Sequence, residues 1–147
     1  MSLYSKHTTS NLIPCVRYRD VPAALAWLCK AFGFEQLRVV EDDEAGIIHA
    51  QLGFGSGMPM LGPVTTSSPP HDARQPEQGA DVSTYVIVNS ADALYTQAKA
   101  AGAEVVVELK DEDLGGRSFT CRDLEGHLWT FGTYDPWSEL DSTQGDR

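Results

Sequence analysis

Apolar and polar positions along the chain change period several times, and each change marks an element. "NLIPCVRYRD", residues 11–20, alternates as a strand does. In the following "DVPAALAWLCKAFGF", Ala24, Leu25, Leu28, Ala31 and Phe32 recur at helical spacing and give one face to pack on a sheet. Asp20 as N-cap, Pro22 in the first turn and Gly33 past the end bound this predicted helix. "EQLRVVE", "GIIHAQLGF" and "GMPMLGP" then read as three short strands separated by acidic or glycine turns, so the first half is βαβββ.

The second half repeats the first. "STYVIV" predicts a strand, "SADALYTQAKAAGA" a helix with Ser90 as N-cap and Gly102 at its end, and "EVVVEL", "GRSFTCRD" and "GHLWTFG" three more strands. "AFGFE" at 31–35 matches "AAGAE" at 100–104 with an offset of 69, whereas Val16 against Val86 gives 70. The fold class expected is α+β, with two βαβββ modules, about residues 11–62 and 82–135, forming one domain. Residues 63–81 carry four of the eight prolines and no periodicity, which predicts a linker or covering loop, with His71 and Arg74 solvated on it. The polar tail 138–147 is expected to fray.

Charge narrows the partners. Eleven Lys plus Arg against 21 Asp plus Glu give a formal charge of −10, unfavourable for a phosphate backbone, so nucleic acid is not expected as a partner. Apolar runs such as "VPAALAWL" fall far short of the roughly 20 residues of a membrane span. Neither a secretory-signal pattern nor CxxC spacing is present, and Cys15, Cys29 and Cys121 are odd in number, so reduced thiols and a cytoplasmic location are expected. Buried, inert thiols are expected, with Cys15 kept as the one pocket candidate.

Paired βαβββ modules, together with "GGRSFTCRDLEGHLWTFGTYDPW", resemble the vicinal oxygen chelate superfamily, which groups glyoxalase I, extradiol dioxygenases, fosfomycin resistance enzymes and bleomycin resistance proteins. The resemblance covers residues 11 to about 135. In the last hairpin Leu124 stands where the family often has proline, and "IPCVRYRDVPAALAWLCKAFGFE" is similar to the first module of the glyoxalase-like, PhnB-like branch. The resemblance implies curled sheets with the helices outside, enclosing a cavity, and commonly a two-fold homodimer.

It also implies where a metal would sit. In many members four inward side chains, one each from the first and last strand of both modules, bind a divalent ion. The family's histidine, seven residues before the Asp that opens the first helix, falls here on Ile13, and its counterpart in the second module on Ser83. The family's glutamate, four residues after the turn glycine Gly126, falls on Thr130, with Leu61 or Met60 as the first-module counterpart. Divalent transition metals need imidazole or carboxylate donors at about 2.0 to 2.3 Å. No metal and no other cofactor is therefore expected, and His7, His49, His71 and His127 lack ligand spacing of their own.

Strand alternation then sorts the cavity face from the helix face. Cys15 and Arg17 on the first strand, His49 and Gln51 on the third, Met60 on the fourth, Ser83 and Tyr85 on the fifth and Thr130 on the last are expected inward, while Trp129 and Phe131 face the helix layer. Arg117 either pins the "GGR" loop or reaches an anionic ligand, and Asp123, Glu125 and His127 shape or solvate their turn. The function expected is metal-independent binding or sequestration of a small molecule such as an antibiotic or metabolite. Two rivals stand beside it: an enzyme, either a divergent lyase or dioxygenase with a relocated metal or an isomerase or hydrolase using His49, Tyr85 or Cys15 for proton transfer, and a protein-interaction domain with a vestigial pocket.

Overall fold

The computed structural model describes Leu3 and residues 7–65 and 82–138; His71, Arg74, the rest of 66–81 and the tail beyond Ser138 lie outside the described residues. Two compact units emerge, each with a helix packed on a four-stranded mixed sheet. The first contains β1 (Cys15–Tyr18), α1 (Val21–Phe32), β2 (Glu35–Asp42), β3 (Gly46–Gly53) and β4 (Met60–Pro63), in sheet order β1-β4-β3-β2. The second contains β5 (Ser83–Ile87), α2 (Ala91–Ala100), β6 (Glu104–Asp111), β7 (Arg117–Arg122) and β8 (Leu128–Gly132), in order β5-β8-β7-β6. Among the described residues of each unit, only the first strand pairs in parallel, with the last.

Both helices start where their caps predict. The Asp20 carboxylate accepts from Ala23 N–H at 3.0 Å and the Ser90 hydroxyl from Ala93 N–H at 3.1 Å. Gly33 ends α1 in the left-handed conformation, φ 76°, which a side chain there would resist. Ala24, Leu25, Leu28, Ala31 and Phe32 are all buried, joined by Val21. They pack on Tyr18, Ala50, Leu52 and Leu61, the buried side of the first sheet. In the second unit Ala91, Leu94 and Ala98 of α2 meet Phe119, Cys121, Trp129 and Phe131, with the Phe119 and Phe131 rings stacked 5.5 Å apart. Each of these sheets therefore has one face sealed by a helix and one turned away from it.

The repeat is carried in the strand registers. Cys15 lies opposite Met60 and Tyr85 opposite Thr130, both partners 70 positions on from their counterparts. The middle strands keep 69 instead: Arg38 opposite Gln51 corresponds to Val107 opposite Thr120. Both offsets read from the sequence are thus correct in different elements. Pro63, expected to open the linker, instead closes β4 opposite Tyr18.

Candidate functional site

Alternation along β1 leaves Cys15 and Arg17 exposed and Tyr18 buried on the helix side. Across the sheet, registers place Cys15, Met60, Gln51 and Arg38 in one row on the face turned away from α1, with Arg17 opposite Gly62 and His49 opposite Val40 beside it. The structure thus brings Cys15, Arg17, His49, Gln51 and Met60 to one face of the first unit. Leu61, the alternative to Met60, is corrected: it is 1% exposed and points to α1, and the register makes Met60 the counterpart of Thr130. The Arg17 guanidinium lies along Gly62 and donates from Nη1 to the Pro63 carbonyl at 3.2 Å. His49 Nε2 and Gln51 Oε1 are 3.0 Å apart, and Gln51 Nε2 reaches Met58 Sδ at 3.5 Å.

The second unit mirrors this arrangement. Ser83, Tyr85 and Ile87 of β5 are exposed on the face turned away from α2, in register with Leu128, Thr130 and Gly132, while Trp129 and Phe131 are buried under the helix. Thr130 shares a hydrogen bond with Thr120 at 2.8 Å. Tyr85 donates to the Tyr134 carbonyl at 2.7 Å, and its ring covers Gly132. Burial pushes its phenol above the usual value, the hydrogen bond to Tyr134 offsets part of that rise, and the charges of Asp135 and Glu112 add to it. A cleft of about 240 Å³ opens beside Tyr85, lined also by Glu112, Leu114, Arg117, Ser118 and Tyr134, with the Ser118 hydroxyl bonded to Glu112.

Arg117 lines that cleft and is also ion-paired twice. Nε donates to Asp92 at 2.9 Å and Nη1 to Asp111 at 3.0 Å, tying the hairpin end to α2 and holding the guanidinium pKa above its ordinary value. The polar turn after β7 is structural as well. Asp123 is 3% exposed, and its carboxylate accepts from the backbone N–H of Glu125 and His127 and from Trp129 Nε1–H, all at 3.0 to 3.1 Å. Of the two roles expected of it, Asp123 therefore shapes the turn and is not solvated; its further bond to a tryptophan six positions on is one that alternation alone could not signal.

The three cysteines differ in exposure. Cys121 is buried and its thiol is pushed up to about 12 by burial, with the Asp123 charge adding. Cys29 is half-buried and raised for the first reason alone. Cys15, however, is exposed. Sequence reasoning also missed Met58, Tyr134 and Glu112, because each acts through a partner whose distance along the chain follows no period.

The four places where the resemblance implies a metal hold a hydrocarbon, a thioether and two hydroxyls: Ile13, Met60, Ser83 and Thr130. Thr130 spends its hydroxyl on Thr120, and none of the four supplies the imidazole or carboxylate that a divalent transition ion requires. These residues do not fit such an ion. Among the described residues, no group of three or more His, Cys, Asp or Glu side chains is placed to hold one.

Comparison with known proteins bears on both fold and family. The model of the Glyoxalase/Bleomycin resistance protein/Dioxygenase superfamily matches residues 6–131. The crystal structure of TioX from Micromonospora sp. ML1 is 33% identical, with 84% of this chain and 97% of that one covered, at a TM-score of 0.66. A glyoxalase/bleomycin resistance protein from Streptomyces sp. CB03234 is 17% identical over 84% of this chain and 99% of that one, TM-score 0.64. A point mutant of FosX from Listeria monocytogenes, a genomically encoded fosfomycin resistance protein complexed with Mn(II) and 1S,2S-dihydroxypropylphosphonic acid, is 14% identical over 91% and 98%, TM-score 0.59. No curated protein matches this chain. No helix among the described residues is long and apolar enough to cross a membrane.

Proposed function

Since this chain belongs to the Glyoxalase/Bleomycin resistance protein/Dioxygenase superfamily, we propose that it binds a small organic molecule without a metal ion, as a sequestering protein for an antibiotic or metabolite. The observation that carries the reading is the replacement of the family's metal-ligand places by Ile13, Met60, Ser83 and Thr130 in an otherwise intact pair of modules. A structural relative complexed with Mn(II) shares this fold, so the frame by itself is compatible with a metal, and the side chains make the difference here.

What remains on the faces turned from the helices suits binding by contact. In the first unit Met60 offers apolar area beside the polar groups of Arg17, His49 and Gln51, and in the second Ile87 does so beside Ser83, Tyr85 and Thr130, each a mixture usual in small-molecule sites. The cleft beside Tyr85, about 240 Å³, is smaller than the roughly 300 to 1,000 Å³ of sites for drug-sized ligands, so it suits one part of a ligand. Homodimerisation is proposed with this reading, from the family alone.

A thermal-shift screen of antibiotics and metabolites in the presence of EDTA tests it. Stabilisation by at least one compound, unchanged by the chelator, is expected. Stabilisation that EDTA abolishes, or turnover of a bound compound that depends on an added metal, would refute it.

A further inference from the structure

A short relay in the first unit determines which nitrogen of His49 carries its hydrogen. Gln51 Nε2 lies 3.5 Å from Met58 Sδ, and a thioether sulfur only accepts, so the amide NH2 faces the sulfur. The Gln51 carbonyl oxygen is thereby turned to the imidazole, 3.0 Å from His49 Nε2. That oxygen also only accepts. His49 Nε2 therefore donates, and in the neutral ring Nδ1 is left bare.

Nδ1 has no hydrogen-bond partner among the described residues, and no buried side-chain nitrogen or oxygen is without one, so Nδ1 must reach solvent. It sits on the face turned from α1, with Val40 opposite His49 and with Met60 and Arg38 flanking Gln51. Apolar area thus adjoins an acceptor of fixed polarity.

We propose that the Met58–Gln51–His49 relay holds His49 as its Nε2–H tautomer, so that Nδ1 is a standing acceptor for a hydroxyl or N–H group on an otherwise apolar ligand. This rests on the small-molecule reading above and adds the chemistry it recognises. A ligand bearing only acceptors at that point, an ether or a ketone, loses its partner and leaves Nδ1 stripped of water.

The test is long-range ¹⁵N–¹H NMR of the full chain at about pH 8.5, where an ordinary imidazole is neutral. Ligand-free protein should show His49 protonated at Nε2 and bare at Nδ1, and Met58→Leu, which removes the sulfur but keeps the bulk, should give a mixture of tautomers. Phenol should shift the Nδ1 resonance, whereas anisole, the same ring with its donor methylated, should leave it in place. An Nδ1–H tautomer in the wild-type chain, a Met58→Leu spectrum identical to it, or an equal response to phenol and anisole, including none to either, would overturn the proposal. The tautomer is read without ligand, so failure of the EDTA screen would remove the functional reading while leaving this result standing on its own.

Discussion

The Tyr85 ring lies across Gly132, two register places from its own partner Thr130, and is pinned there by the 2.7 Å hydrogen bond from its hydroxyl to the Tyr134 carbonyl. A Cβ on Gly132 would meet Tyr85 Cε1 at 2.9 Å and Cζ at 3.0 Å. The glycine is required by this close approach, since its φ does not lie in the left-handed region. Gly62 is the first-unit counterpart of Gly132, but there the neighbour is the far end of the Arg17 side chain, 3.2 Å from the same imagined Cβ.

Opposite outcomes follow for two alanine substitutions at equivalent places. Gly132→Ala should cost about 1 to 3 kcal/mol, because a held aromatic ring must move. Gly62→Ala should stay within about 0.5 kcal/mol. Urea unfolding of both variants checks this. Equal losses would show that Tyr85 is not held.

Asp123 satisfies three N–H donors, including the indole of buried Trp129. Asp123→Ala should therefore destabilise by about 2 to 4 kcal/mol, the range for leaving buried donors unpaired. Trp129 fluorescence in the same unfolding experiment should report an altered environment even under native conditions. A change below about 0.5 kcal/mol would contradict its role as a lock.

The thiols should react in order of exposure. Iodoacetamide should label Cys15 first, Cys29 more slowly and Cys121 only on unfolding, as mass spectrometry of peptides would show. Cys121 also implies a pH dependence. Its folded value of about 12 lies above the ordinary 9.0, so its contribution to stability is complete below about pH 9 and is lost as pH rises toward 12. The slope is at most about 1.4 kcal/mol per pH unit. Cys121→Ala should flatten that part of the stability profile, and an unchanged profile would argue against it.

The fold was legible because each element announces itself locally. Asp20 and Ser90 cap helices that start beside them, and the five apolar residues assigned to the face of α1 are all buried. Inward and outward faces followed from period two, which correctly separated Thr130 from Trp129 and His49 from Ala50. Choosing between Met60 and Leu61 needed the β1–β4 register, which one added residue in the turn leading to β8 had blurred. The side-chain partners were beyond reach for a different reason: Met58 to Gln51, Tyr85 to Tyr134 and Arg117 to Asp92 join residues by rotamer, and periodicity is blind to rotamers.

Metal content of the purified chain after incubation with Mn(II), Zn(II) or Fe(II) and exhaustive dialysis, read by inductively coupled plasma mass spectrometry, bears most directly on binding without a metal. With Ile13, Met60, Ser83 and Thr130 at the inherited places, each ion should remain far below one per chain, and Thr130→Ala should change nothing. One tightly held ion per chain, lost on Thr130→Ala, would contradict the account.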